Sequence, residues 1–103
     1  MEPADPLRWL MRWYTDQCDG DWEHQYGIKI DTLDNPGWLL TVDLQGTSLE
    51  GQILHRTSHN LEAESDWWDC RTENNQFKGA CGPTDLANLI AAFRRFAQGE
   101  PVK

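Results

Sequence analysis

Apolar residues change their period along this chain, and each change marks an element. Near the start Leu7, Leu10, Met11, Trp13 and Tyr14 recur at three-to-four spacing. Asp5-Pro6 stands before them, a capping residue followed by proline where a helix has no use for the N–H. The spacing therefore predicts an amphipathic helix of about three turns, up to Cys18 and ended by Gly20. From Tyr26 the period becomes two. Tyr26, Ile28, Ile30 and Thr32 alternate with Gly27, Lys29 and Asp31, and Trp38, Leu40, Val42 and Leu44 alternate with Leu39, Thr41 and Asp43. Two half-buried strands joined at Asn35-Pro36-Gly37 follow, with Pro36 presetting the turn and Gly37 expected to supply a positive φ. Matching apolar faces requires Ile30 to meet Leu40 or Val42, so the connection should be odd in length.

Beyond a turn bracketed by Gly46 and Gly51, residues 52–59 read as a third strand and residues 60–66 as a polar, acidic loop. Residues 67–73 and 76–81 flank Asn74-Asn75, a pair that tolerates the left-handed conformations of a type I′ hairpin. That register sets Trp68 opposite Cys81, Cys70 opposite Gly79 and Thr72 opposite Phe77, and turns Trp67 outward. After Gly82-Pro83, Thr84 or Asp85 can cap a second helix. Its stripe is Leu86, Leu89, Ile90, Phe93 and Phe96, with Arg94-Arg95 near its negative end and Gly99 as its stop. Helix, about five antiparallel strands and helix make an α+β fold, one domain over residues 1–103, with both helices on one face of the sheet.

Charge adds a constraint that the pattern lacks. The chain has 17 Asp and Glu against nine Lys and Arg, a net charge of −8. Residues 16–73 hold thirteen of those acids and three of the bases, a net of −10, so the two ends together carry +2. Such a surface repels nucleic acid and anionic lipid and attracts basic proteins. No run of 18 apolar residues is present, and Met1-Glu2-Pro3-Ala4-Asp5 has neither the basic start nor the apolar stretch of a secretory signal, so a cytoplasmic protein is expected. Cys18, Cys70 and Cys81 are odd in number and lack C-x-x-C spacing, as suits free and mostly buried thiols.

Candidate chemistry concentrates between Gln17 and Trp38. Asp19, Asp21 and Glu23 alternate like the first ligands of a calcium loop, but His24 stands where glycine is needed and Ile30 where a bidentate Glu belongs. His24, His55 and His59 could meet at a metal only if the fold gathered them, and His55 and His59 lie about 13 Å apart along a strand. Asp21, Glu23 and His24 have the residue types for acid–base catalysis in a small hydrolytic or metal-binding enzyme, yet no nucleophile elbow, phosphate loop or Cys-His signature accompanies them. No catalytic residue, metal or cofactor is expected. The plainer role is structural: Asp19 or Asp21 accepting backbone hydrogen bonds in the turn, Trp22 and Trp38 in the core, and His24 bonding a strand carbonyl or a buried carboxylate. Six tryptophans in 103 residues also imply one or two at a partner-facing surface, Trp67 above all, beside Asp66 and Asp69.

These blocks resemble a known family. The run WLMRWYTDQCDGDWEHQYGIKIDTLDNPGWLLTVDLQGTSL, Trp9 to Leu49, is similar to the immunity protein 53 family of bacterial polymorphic toxin systems. Trp13-Tyr14, CDGDWEH at Cys18 to His24 and TLDNPGW at Thr32 to Trp38 carry the likeness, which continues more loosely through Gly51, Trp67 or Trp68, Cys70 and the final helix. The resemblance implies a cytosolic antidote that binds and neutralises a toxin encoded beside it, and it brings no catalytic residues. Taken with the charge, it makes a basic toxin, a nuclease among them, the expected partner. Asp19, Asp21, Glu23, Glu62, Glu64, Asp66, Trp67 and Asp69 are the candidate contacts. Trp13, Trp22, His24, Asn35, Pro36, Gly37 and Trp38 are the expected structural motif. A generic acidic adaptor is the remaining alternative.

Overall fold

In the computed structural model, which describes residues 4–103, the first helix α1 spans Pro6–Gln17. Its N-terminus is closed by Asp5, whose Oδ1 accepts the Leu7 N–H at 3.2 Å. The residues 1–3 on which the absence of a leader was partly read lie outside the described residues. One apolar stripe was expected on α1, and there are two. Trp9, Leu10 and Trp13 are buried, whereas Leu7 and Met11 are 49% and 60% exposed and run with Tyr14 along the flank. A further single-turn helix, α2 at Trp22–Gln25, is too short for periodicity to reveal.

Five strands, β1 (Ile28–Leu33), β2 (Gly37–Asp43), β3 (Thr57–His59), β4 (Trp68–Glu73) and β5 (Gln76–Cys81), form one antiparallel sheet in the order β1-β2-β5-β4-β3. The β1–β2 connection is odd in length, as face matching demands: Leu33 pairs with Gly37 and Ile30 with Leu40. Gly37, however, does not adopt a positive φ. It is glycine for a different reason, since a Cβ there would run into the Cys81 carbonyl oxygen on β5. The β4–β5 hairpin has the expected register, Trp68 with Cys81, Cys70 with Gly79 and Thr72 with Phe77, and Asn74 and Asn75 sit at φ 51° and 61°. The third strand is shorter than expected. Only Thr57–His59 pairs as a strand, while Leu54 touches β4 through its own N–H to Thr72 Oγ1 (2.8 Å) and the Thr72 N–H to its carbonyl (3.0 Å).

The last helix, α3 at Leu86–Ala97, packs with α1 on the sheet face that carries Leu40, Val42, Phe77, Cys70 and Cys81. Gly79 makes that approach possible, because a Cβ there would lie 2.6 Å from Leu89 Cδ1. Phe93 stands at the centre: its ring centroid is 5.0 Å from Phe77, 5.1 Å from Trp13 and 5.8 Å from Trp9, in edge-to-face arrangements that aromatic quadrupoles favour. Burial pushes the thiol of Cys70 up to about 12 and that of Cys81 to about 11, so both remain protonated core residues.

Phe93→Ala should remove about 3–5 kcal/mol of stability in chemical denaturation, because Trp9, Trp13, Phe77 and Phe96 lose a common neighbour and cannot close the cavity. Gly37→Ala should also destabilise, by roughly 1–3 kcal/mol, although its φ is ordinary, since the Cys81 carbonyl must move.

Candidate functional site

The turn between α1 and α2 is built by its own acids. Asp19 Oδ1 accepts the N–H groups of Asp21 (3.0 Å) and Trp22 (2.9 Å), which resolves the choice between Asp19 and Asp21 as the turn's acceptor. The Glu23 carboxylate reaches back to the N–H groups of Asp19 (3.0 Å) and Gly20 (2.9 Å), in the manner of a capping box. The Trp22 N–H foremost, then that of Asp21, holds the Asp19 carboxyl below its usual range, and Glu23 is lowered likewise by its own backbone N–H and by those of Asp19 and Gly20. Trp22 is buried, donates from Nε1 to the Gln45 carbonyl (2.8 Å), and sets its ring edge-on to Trp13 at 6.4 Å. Trp38 is half-buried, its Nε1 donating to the Pro83 carbonyl at 3.0 Å. Asn35 and Pro36 form the exposed tip of the β1–β2 connection.

His24 departs from expectation. It is exposed, in a one-turn helix that buries only Trp22, and its ring bonds neither a strand carbonyl nor a buried carboxylate. Of its neighbours, Glu23 is held by backbone N–H groups and lies close enough to His24 to feel its charge, and Asp21 accepts from Gln25 Nε2 at 3.3 Å. No group of three His, Cys, Asp or Glu that could hold a metal occurs among the described residues, and none of the described helices is long and apolar enough to cross a membrane.

The second acidic group occupies loop 60–66. Asn60, at φ 56°, opens it and donates from Nδ2 to the Asp66 carbonyl (3.0 Å), while the Gly82 N–H donates to the Trp67 carbonyl (3.0 Å). Gly82 lets the loop lie flat on the sheet end, since a Cβ would strike the Ser65 carbonyl oxygen. Glu62, Glu64 and Asp66 are all exposed, and none of their carboxylates has a hydrogen bond or ion pair among the described residues. By alternation with Trp68, Trp67 is turned to the face without helices, but it is half-buried rather than fully outward. Asp69 shares that face. It is 17% exposed, held by Arg56 Nε (2.9 Å) and Ser58 Oγ (2.7 Å).

The eight candidate contact residues thus divide into two groups. Gly27 and Gln45 tie the first turn to one end of β2, at Asp43 and beyond, whereas loop 60–66 adjoins the other end at Gly37, Cys81 and Gly82. A strand of this length separates them by about 20 Å. Two apolar features were missed. On the open face Leu39, 39% exposed, sits in register with Asp31 on one side and Ala80 on the other; its alternation with Trp38 and Leu40 was the available signal. On the helix face Leu7, Leu10, Met11 and Tyr14 line a groove with Ile28 and Ile30, and Ile30 is 42% exposed. The i, i+4, i+7 series of Leu7, Met11 and Tyr14, offset from that of Trp9 and Trp13, was the clue there.

The low carboxyl pKa values of Asp19 and Glu23 set a pH limit on the first turn. Both folded values lie below the ordinary 3.8 and 4.5, so the stabilisation is full above those values and is lost as pH falls through the lower folded ones. Asp19→Asn with Glu23→Gln should flatten the acid limb of the melting temperature against pH while leaving Glu62, Glu64 and Asp66 unaffected.

Comparison with families matches the model of immunity protein 53 over residues 7–98, nearly the whole chain. Comparison with curated proteins and with solved structures gave no match. An α+β sheet with its helices on one face, the CDGDWEH block fastening α1 to the sheet, and this continuous match give one answer: the chain belongs to the immunity protein 53 family.

Proposed function

We propose that the protein is a stoichiometric inhibitor that binds and neutralises a cognate basic toxin in the cytoplasm, acting by contact and not by turnover. Family membership supports a toxin-neutralising role. One observation carries the choice of surface: Glu62, Glu64 and Asp66 are exposed carboxylates with no partner among the described residues, in the loop that leads into Trp67 on the open sheet face. Free carboxylates steer a basic partner and raise association from about 10⁵–10⁶ M⁻¹s⁻¹ by orders of magnitude at low salt. An aromatic side chain at a desolvated contact then slows release. Asp19 and Glu23 are less suited to that work because their oxygens already serve backbone N–H groups. Asp21 and the rest of that turn form a second contact at most, about 20 Å away. On a nuclease, the loop acids would occupy the cationic surface that otherwise receives phosphate.

The product of the adjacent reading frame, captured on this chain, is the partner to measure. Glu62→Gln/Glu64→Gln/Asp66→Asn should slow association about tenfold at low salt and flatten its salt dependence, with the melting temperature unchanged. Trp67→Ala should instead speed dissociation about thirtyfold. Binding that survives both variants moves the contact surface elsewhere; failure of the wild-type chain to rescue growth against that product removes the toxin-neutralising role itself.

A further inference from the structure

β1 is the exposed edge of the sheet, and its hydrogen-bonding direction is fixed. The Asp43 N–H donates to the Gly27 carbonyl at 3.0 Å, just before the strand in the same register that continues Ile28 with Val42. In an antiparallel ladder the residues that exchange hydrogen bonds alternate, so Lys29, Asp31 and Leu33 serve β2 while Ile28, Ile30 and Thr32 direct their N–H and C=O groups outward. Native edges are usually blunted by proline, bulges, inward charges or lysine; β1 has no proline, bulge or inward charge over six residues, and its one lysine, Lys29, is accompanied by Asp31 on the same face. The opposite edge, β3, is three residues long.

The side chains of this edge complement themselves. Read antiparallel about Ile30, the sequence Ile28-Lys29-Ile30-Asp31-Thr32 places Lys29 opposite Asp31 and Ile30 opposite itself. Outward-pointing residues must pair with outward-pointing residues, which permits shifts of one residue in the centre of symmetry. A centre on Lys29 sets lysine against lysine, and one on Asp31 sets aspartate against aspartate; only the centre on Ile30 joins opposite charges. Lys29 and Asp31 then form the non-hydrogen-bonded pairs, where side chains approach most closely. Both are exposed, and neither has an ion pair among the described residues.

We propose that β1 pairs antiparallel with β1 of a second copy of this chain, centred on Ile30, joining two five-stranded sheets into one of ten strands. Six backbone hydrogen bonds form, two at Ile30 and two at each Ile28–Thr32 pair. On the helix face the pairing brings together the grooves of Leu7, Met11, Tyr14, Ile28 and Ile30, and so covers the apolar surface that α1 leaves open. A basic toxin is the poorer occupant, since the edge carries one Lys and one Asp and has no net charge to attract it. The like net charge of the two copies opposes association, but at physiological salt it is screened beyond about 8 Å, while the directly opposed pairs persist. The dimer leaves loop 60–66 free and does not depend on the toxin reading.

Sedimentation velocity of the full chain over a concentration series tests this, with Lys29→Asp, Asp31→Lys and the exchanged pair Lys29→Asp/Asp31→Lys. The wild type should dimerise. Each single variant should weaken the dimer about tenfold, by turning two opposite-charge pairs into like-charge ones, and the exchange should restore it. At concentrations where every chain is monomeric the melting temperatures should be equal, because both side chains are exposed. A wild type that stays monomeric throughout overturns the proposal and leaves the edge to a strand from another protein. Single variants that dimerise like the wild type, or an exchange that does not recover, overturn it too.

Discussion

Phe93 occupies the space where α1, α3 and β5 meet, and the rest of the molecule is arranged around keeping that space dry. It touches Trp9 and Trp13 on one helix and Phe77 on the sheet, and Gly79 thins β5 so that Leu89 can bring α3 close. From Trp13 the aromatic contacts continue to Trp22, and from there the indole N–H reaches Gln45 at the end of β2. The acidic block CDGDWEH is therefore the strap that carries the core's packing across the α1–β1 connection. Its carboxylates hold the strap's backbone, and its tryptophan holds the strap down.

This division explains why a chain of net charge −8 does not behave as a uniformly acidic surface. Carboxylates whose oxygens accept backbone N–H groups, such as Asp19 and Glu23, have been given a structural partner. Asp69 has Arg56 and Ser58, and Glu73 has Lys78 and Arg71. Among the described residues, three of the carboxylates left without a partner, Glu62, Glu64 and Asp66, stand together on loop 60–66. Charge left without an internal partner is the charge available to another molecule, and its position beside the open sheet face joins it to apolar surface there.

A sheet covered by helices on one side only has three kinds of boundary. The covered face is the core. The open face carries a mixed surface with Leu39 and Trp67, and the β1 edge carries unpaired backbone beside exposed Ile30. The edge and the loop 60–66 side lie on separate parts of the sheet, so the two proposed contacts would not compete for the same surface.

Much of this was written in the local sequence. Period-two and helical spacings gave both long helices and four of the five strands, and Asn74-Asn75 gave an entire hairpin register, because two left-handed residues and an apolar face leave one way to pair. The family resemblance rested on residues 9–49, where the blocks are most distinctive. Local pattern failed where a residue's role depends on what lies across the fold. Gly37 is glycine because of the Cys81 carbonyl, over forty positions away, and not because of its own φ. His24 is exposed in α2 and lacks its expected partner, and Trp67 is half-buried where full exposure was expected. Composition counted the acids, but only tertiary structure decided which of them were already bound and which were free. A carboxylate's availability is set by the donors that folding places within hydrogen-bond reach, and that distance is not a property of the linear chain.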